Sequence, residues 1–379
     1  MQENGNIYGR LSNPTTAALE QKIAALDNAV GSCCVSSGHA AQLVALYPLL
    51  NPGKKIVASS KLYGGSITQF TKTFKSFGWE TDLVDITNYE EVKQAIKSKN
   101  VRALFAESLS NPEGVVSDIT QLSEIAHDEG IPLIIDNTMA TQAMCQPANY
   151  GADIIIYSTT KFLSGHGNAM GGCVVDTGKF DWANNRGFEK LNEPDTSYHG
   201  IKFYETFGNL AYINFCHACA LRDLGTTMSP FNAYLTLTGI ETLNLRMQKH
   251  MSNAEKVANF LIKHNNVDNV SWSGFQNNKS YKLAKKYFKF GFGSVFTFSV
   301  KSGYDGAKKV VENCNLFSHL ANVGDTKSLI IHPASTTHRQ LSSEQREISG
   351  AGDSVIRVSI GIEHSDDIIK DLKSTLDNL

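Results

Sequence analysis

An α/β fold with a mostly parallel sheet and helices on both faces is what this sequence predicts, with a smaller α+β unit at its C-terminal end. Three observations lead there. Short apolar runs alternate with helix-period segments from near the start to about residue 176. These runs are continuous rather than alternating, as strands buried on both faces must be. Beyond about residue 235 the pattern changes to a long helical run followed by alternating strands. The length, 379 residues with 41% hydrophobic and 19% charged, suits two domains, divided as 1–235 and 236–379.

Each element has a local reason. Asn13 caps a first helix, Pro14 fits its opening turn, and Leu19, Ile23 and Leu26 recur at helical spacing. Val35-Ser36-Ser37-Gly38-His39-Ala40-Ala41-Gln42 is a turn opening into an Ala-rich helix. Strands are expected at 55–59, 81–84, 101–106, 131–135 and 153–157, with helical segments between most of them. Glu107, Asp136 and Ser158 each follow one of these strands, where ligands gather in parallel sheets. Residues 177–230, rich in aromatics, Gly and Asn, show no clean period until about Ile213. A helix is expected over 231–264, with Leu235, Leu237, Ile240, Leu243, Leu245 and Met247 in its apolar set. Residues 293–298 and 355–360 read as alternating strands.

Bulk properties exclude several functions. Lys+Arg 35 against Asp+Glu 37 leaves a charge of -2, so no basic field attracts nucleic acid. Met1-Gln2-Glu3-Asn4-Gly5 lacks a basic stretch followed by an apolar one, and no apolar run approaches the ~18 residues of a membrane span. A cytoplasmic protein with small-molecule or protein partners, no nucleic acid and no membrane, is expected. Seven cysteines in contexts such as Gly172-Cys173-Val174-Val175 suggest reduced core thiols. Cys216-His217-Ala218-Cys219 has no second ligand pair and reads as two core residues on one helix face, so no metal is expected.

One constellation carries chemistry. Lys161 lies in Ser158-Thr159-Thr160-Lys161-Phe162-Leu163-Ser164-Gly165-His166-Gly167, downstream of Leu133-Ile134-Ile135-Asp136-Asn137. An amine among hydroxyls and glycines, with an acid at the end of a nearby apolar strand, is what a pyridoxal phosphate site requires. The lysine would hold the cofactor as a Schiff base, and the aspartate would keep the pyridine nitrogen protonated. The helix start at Ser37-Gly38-His39 offers amides to a phosphate, with the hydroxyls of Ser158 and Thr160 converging on it. Tyr63, in Leu62-Tyr63-Gly64-Gly65-Ser66, could stack on the cofactor ring; taken alone it reads as a packing residue.

From 6–15 through 360–363 the sequence resembles the cysteine and methionine metabolism family of pyridoxal phosphate enzymes, which have the aminotransferase-like fold type I. Within it, Glu193-Pro194-Asp195-Thr196-Ser197-Tyr198-His199-Gly200 and Tyr204-Glu205-Thr206-Phe207-Gly208 resemble an insertion of O-acetylhomoserine sulfhydrylases, here about 177–230. The resemblance implies γ-replacement, O-acetylhomoserine and sulfide giving homocysteine and acetate. It also implies residue roles. Lys161 is the Schiff-base lysine, Asp136 the pyridine partner, and Tyr63 the stacking ring and a catalytic aid; Ser37, Gly38, His39, Ser158 and Thr160 are phosphate ligands. Tyr8 and Arg10 match a Tyr-x-Arg pair that reaches a neighbouring subunit's phosphate, implying dimers with shared sites paired into a tetramer. Arg357, with Asn322, Asn111 and Glu107, is placed at the substrate, the arginine on its carboxylate. Alone, Arg357 reads as a surface ion-pair residue.

Two departures stand out. His39 replaces a methionine of several relatives, though its backbone amide can still bind phosphate. The Tyr-x-Arg segment begins almost at Met1, so an N-terminal arm is expected to be largely absent, by truncation or with assembly through other surfaces. A γ-lyase, a synthase using another thiol, and a catalytically silent paralogue stay open as alternatives. The acyl leaving group is not legible either.

Overall fold

The computed structural model describes residues 6–111, 113–339, 342–348 and 350–379; the first five residues, used above to argue against a leader, lie outside it. The β-branched and apolar runs form a seven-stranded sheet. Its strands are β1 (Gly31–Val35), β2 (Lys55–Ser59), β3 (Glu80–Val84), β4 (Val101–Glu107), β5 (Leu133–Asp136), β6 (Ile154–Tyr157) and β7 (Gly172–Asp176). In space they run β1-β7-β6-β5-β4-β2-β3. β3, β2, β4, β5 and β6 are parallel; β7 pairs antiparallel with β6, and β1 antiparallel with β7, so that β1 again runs with the parallel set. The last two were not expected as strands. Their cysteines and valines continue the sheet because both faces are buried there.

Cores cover both faces. On one side Leu104, Ile135, Ile155 and Tyr157 pack with Leu19 and Ile23 of α1 (Pro14–Leu26). On the other Phe105, Ile134, Ile154 and Ile156 pack with Ala41, Val44 and Ala45 of α2 (Gly38–Leu46). As expected, Asn13 caps α1, accepting the Thr15 N–H at 3.0 Å, with Pro14 first in the helix. The aperiodic stretch 177–230 contributes large aromatics to the second core. Trp182 stacks on Tyr212 at 5.0 Å and 9°, and Phe188, Phe203 and Phe215 are buried beside them. Its helices are only three to six residues long and partly 3-10 or π, so no 3.6 period could form.

The expected 231–264 helix is two, Pro230–Glu241 and Leu243–Leu261. Thr242, at φ -104° and ψ 8°, breaks the run. Leu245 is 70% exposed rather than in the apolar set. The buried face runs through Leu243, Met247, His250 and Met251, and a residue two positions on from Leu243 lies about 200° around a helix. The second helix joins two cores, Met247 and Met251 in the first and Val257 and Leu261 in a third. That third core backs a five-stranded sheet of β8 (Val267–Ser271), β9 (Val295–Val300), β10 (Ser318–His319), β11 (Leu329–Ile331) and β12 (Val355–Ser359), ordered β10-β11-β12-β9-β8. Among the described residues no helix is long and apolar enough to cross a membrane.

Ile135 sits fully buried in β5, at the middle of the large sheet. Ile135→Ala should cost about 2–5 kcal/mol of stability, seen as a lower urea midpoint at unchanged slope; a loss below about 1 kcal/mol contradicts this packing.

Candidate active site

Parallel register lines up the ends of β4, β5 and β6, with Glu107 opposite Asp136 and Asp136 opposite Ile156. Glu107 and Asp136 are the last residues of their strands and Ser158 follows β6. Side chains alternate across a strand, so both carboxyls face the side of Phe105 and Ile134, where α2 lies. A cleft of about 240 Å³ opens there. Ser37, Gly38, His39, Tyr63, Glu107, Asn111, Asp136, Ser158, Thr160, Lys161 and Arg357 all line it. Asn322 lies between two lining residues and accepts a hydrogen bond from Lys161 Nζ.

One end is built for an anion. The Ser37 hydroxyl accepts the Ala40 N–H at 3.1 Å, capping α2 and leaving the first amides free. A Cβ on Gly38 would stand 2.8 Å from that of Ser158, so only glycine lets the helix come this close. The Ser158 hydroxyl bonds to no other described residue. Thr160 is less available than expected: its hydroxyl donates to the Gly171 carbonyl and accepts the Gly171 N–H, both at 3.1 Å. A phosphate contact from it requires the first of these bonds to turn.

Beyond the anion end lie two carboxyls buried side by side. Burial first and Asp136 second push Glu107 well above the usual range. Its oxygens accept the N–H groups of Tyr63 at 2.7 Å and Asn111 at 3.3 Å, so Glu107, expected at the substrate, braces two other residues of the cleft it lines. Burial also raises Asp136, but hydrogen bonds from Thr138 and Gln42 hold it toward the ionised form, the Thr138 N–H at 2.9 Å. Both carboxyls are therefore raised, Glu107 by burial and by Asp136, while Asp136 alone has side-chain donors, Thr138 and Gln42, that favour its charged form. Thr138 and Gln42 escaped the sequence reading. The available signal for Gln42 was its spacing, four residues past Gly38 on one helix face.

Among the described residues no acid forms a salt bridge with the cationic groups of the cleft. Burial, then Arg357, lowers Lys161 to about 8. Arg357 is 8% exposed, not the surface residue its strand alone suggested. It donates to Asn111 Oδ1 at 3.4 Å and to the Asn322 carbonyl at 3.2 Å, and burial lowers it to about 10. No described carboxylate forms a salt bridge with it. Tyr8 and Arg10 do not line this cleft; the Arg10 guanidinium bonds the Arg222 carbonyl and stacks 5.3 Å over Tyr8. Cys216 and Cys219 are buried core thiols. His217 lies near Glu20 and Cys33, but its Nε2 is 3.0 Å from the Ser32 carbonyl, a hydrogen bond that occupies that nitrogen.

Free amides and a hydroxyl, an uncompensated carboxylate, and an amine of lowered pKa suit one kind of ligand. Pyridoxal phosphate offers a phosphate, a ring nitrogen that can carry a proton, and an aldehyde.

A family model described as Cys/Met metabolism PLP-dependent enzyme matches residues 1–377. The chain is 45% identical to O-acetyl-L-homoserine sulfhydrylase of Leptospira meyeri, covering 100% of this chain and 87% of that one. It is 44% identical to homocysteine synthase of Schizosaccharomyces pombe, over 100% of this chain and 88% of that one. It is 41% identical to a crystal structure from Campylobacter jejuni, described as a provisional O-acetylhomoserine (thiol)-lyase and carrying a pyridoxyl-lysine phosphate. That match has a TM-score of 0.95 and covers 99% of this chain and 89% of that one.

Only a neutral amine adds to an aldehyde, so capture of pyridoxal phosphate by cofactor-free protein should accelerate about tenfold per pH unit and level off above about 8. Stopped-flow absorbance checks this; a rate flat from pH 6 to about 9 contradicts a lysine lowered in this way.

Proposed function

The chain belongs to the Cys/Met metabolism family of PLP-dependent enzymes, and we propose that it catalyses γ-replacement, converting O-acetylhomoserine and sulfide to homocysteine and acetate. The single observation that carries the site assignment is the pairing, in one cleft, of an amine, Lys161, with a buried carboxyl, Asp136, neither of them in a salt bridge among the described residues. The names of the full-length relatives supply the reaction.

Lys161 would hold the cofactor covalently, Asp136 its ring nitrogen, and Ser158 with the amides of Gly38 and His39 its phosphate. When bound, pyridoxal phosphate supplies an electron sink for the pair left when the substrate loses its α proton. The rest falls to the protein's own groups. Arg357, buried and without an acid, takes the substrate α-carboxylate, which gains most where water is excluded. The Asn111 and Asn322 oxygens hold that guanidinium in place. Lys161 Nζ, lowered to about 8, is neutral often enough at neutral pH to take the α proton and return it later. Asn322 Oδ1, bonded to the same nitrogen, steadies it. Tyr63, half exposed at the mouth of the cleft and fixed through its N–H to Glu107, would cover the cofactor ring and assist proton transfer at the leaving group. Tyr8 and Arg10 would complete a neighbouring copy's phosphate site, in a dimer or a pair of dimers.

Purified enzyme given O-acetylhomoserine and sulfide should release homocysteine and acetate in equal amounts; an oxo acid and ammonia formed without sulfide would instead mark a lyase. Lys161→Ala should lose both turnover and the visible band of the bound cofactor. Arg357→Ala should raise KM for O-acetylhomoserine about 10- to 150-fold, the worth of a charged hydrogen bond pair, in steady-state kinetics. An unchanged KM removes Arg357 from the substrate.

A further inference from the structure

Behind the cleft, on the opposite face of the sheet, lies a group of buried polar side chains that the reaction does not use. Strand alternation turns the neighbours of the site residues away from it. Ser108 follows Glu107, Asn137 follows Asp136, and Tyr157 precedes Ser158; all three point toward α1, where Asp27 ends the helix. All four are fully buried.

They form one directed chain. Ser108 Oγ donates to Asn137 Oδ1 at 2.7 Å, Asn137 Nδ2 to Tyr157 Oη at 3.0 Å, and Tyr157 Oη to Asp27 Oδ1 at 2.9 Å. Gln142 Nε2 donates to the other oxygen, Asp27 Oδ2, at 3.0 Å. The second Asn137 amide proton goes to the Cys145 carbonyl at 2.9 Å, so its side chain cannot rotate without breaking a bond. Apart from that anchor to Cys145, the bonds run toward Asp27, which no described cation meets in a salt bridge.

The chain reaches the site through the backbone of Asn137. Its flanking residues both face the cleft: Asp136, and Thr138, whose hydroxyl accepts the Ser158 N–H at 2.8 Å. The Asn137 carbonyl accepts the N–H of Thr141, a buried non-glycine residue held at φ 56°, a strained conformation that persists only when its surroundings fix it. The Asn137 bond to Cys145 closes this turn.

We propose that Asp27, Tyr157 and Asn137 are positioning residues, a buried relay that fixes the orientation of Asp136 and its spacing from Ser158, the two points that hold opposite ends of the cofactor. The proposal rests on the cofactor site argued above, and none of the three touches the ligand.

The test uses Tyr157→Phe, Asp27→Ala and Asp27→Asn in the full chain loaded with pyridoxal phosphate. Tyr157→Phe removes one oxygen and strands the Asn137 amide and Asp27. Asp27→Asn keeps the acceptor for Tyr157, and Gln142, whose Oε1 has no partner, can turn over to meet the new amide. With burial already pushing the Asp27 carboxyl up to about 7, the neutral amide is a close replacement. Tyr157→Phe and Asp27→Ala should each raise the cofactor dissociation constant about tenfold or more, and shift the pH midpoint of the bound cofactor's absorbance. Asp27→Asn should recover both.

Hydrogen exchange supplies a readout that needs no cofactor. The amides of Thr141 and Ser158 should exchange about tenfold faster in Tyr157→Phe while the rest of the sheet is unchanged. Variants that lower the unfolding midpoint yet keep the wild-type dissociation constant, absorbance titration and local exchange overturn the proposal. Wild-type protein that never takes up cofactor overturns the functional reading instead, and the exchange data still judge the relay.

Discussion

The site depends on one constraint, the common register of β4, β5 and β6. Three parallel strands that end level bring Glu107, Asp136 and Ser158 to one line although they are far apart in sequence. A shift of one residue in β5 would exchange Asp136 for Asn137 and turn the carboxyl to the α1 face. Fully apolar interiors specify that register weakly by themselves, since both faces of these strands are buried. Polar groups at the strand ends supply the distinction, because a buried carboxyl or amide without its partners costs more than any single apolar contact gains.

The same groups carry the electrostatic character of the cleft. Asp136 and Glu107 sit together with no described cation in a salt bridge, and Lys161 and Arg357 sit nearby with no described acid in one. The protein does not let these opposite charges neutralise one another. The neutral oxygens of Asn322 and Asn111 take the hydrogen bonds of Lys161 and Arg357, and backbone amides take those of Glu107. Amides satisfy donors without cancelling charge, so each charged group keeps its attraction for a ligand. The lowered Lys161 and the raised Glu107 both follow from this separation under burial.

How much of this was legible depended on whether a signal was local. Lys161 among hydroxyls and glycines, Asp136 at the end of an apolar run, and the Ser37-Gly38 helix start are each contiguous in sequence, and all lie in the cleft. Arg357 could be assigned only by resemblance, because its burial comes from packing between a C-terminal strand and loops remote in sequence. Thr138 acts through bonds to Asp136 that no spacing rule announces, and the helical spacing of Gln42 from Gly38 marks its face but not its bond to Asp136. The break at Thr242 went unseen because apolar residues continue across it. Leu245 was misplaced because apolarity was read without its angle around the helix. The roles proposed for Tyr8 and Arg10 rest on the resemblance alone and involve a second copy of the chain.

The position of Lys161 is decided from outside the large sheet. Its loop offers carbonyls rather than a strand edge, and Arg246 of the helix Leu243–Leu261 gathers them, donating to the carbonyls of Phe162 at 2.8 Å and Leu163 at 3.4 Å. The same guanidinium reaches the Gly239 carbonyl at 2.7 Å. A planar five-donor fork can bind several converging carbonyls at once, which a lysine cannot, and burial without an acid lowers this arginine to about 10. From the other side the Thr326 N–H bonds the Gly165 carbonyl at 2.8 Å, and Gly324 lies so close that a Cβ would stand 2.8 Å from the Phe162 nitrogen. The segment from Asn322 to Thr326 therefore both clamps the loop and carries the amide bonded to Lys161. Because this segment joins β10 and β11 and β12 of the same five-stranded sheet brings Arg357, movement of that part of the chain would carry the proposed carboxylate-binding group and the lysine's support together.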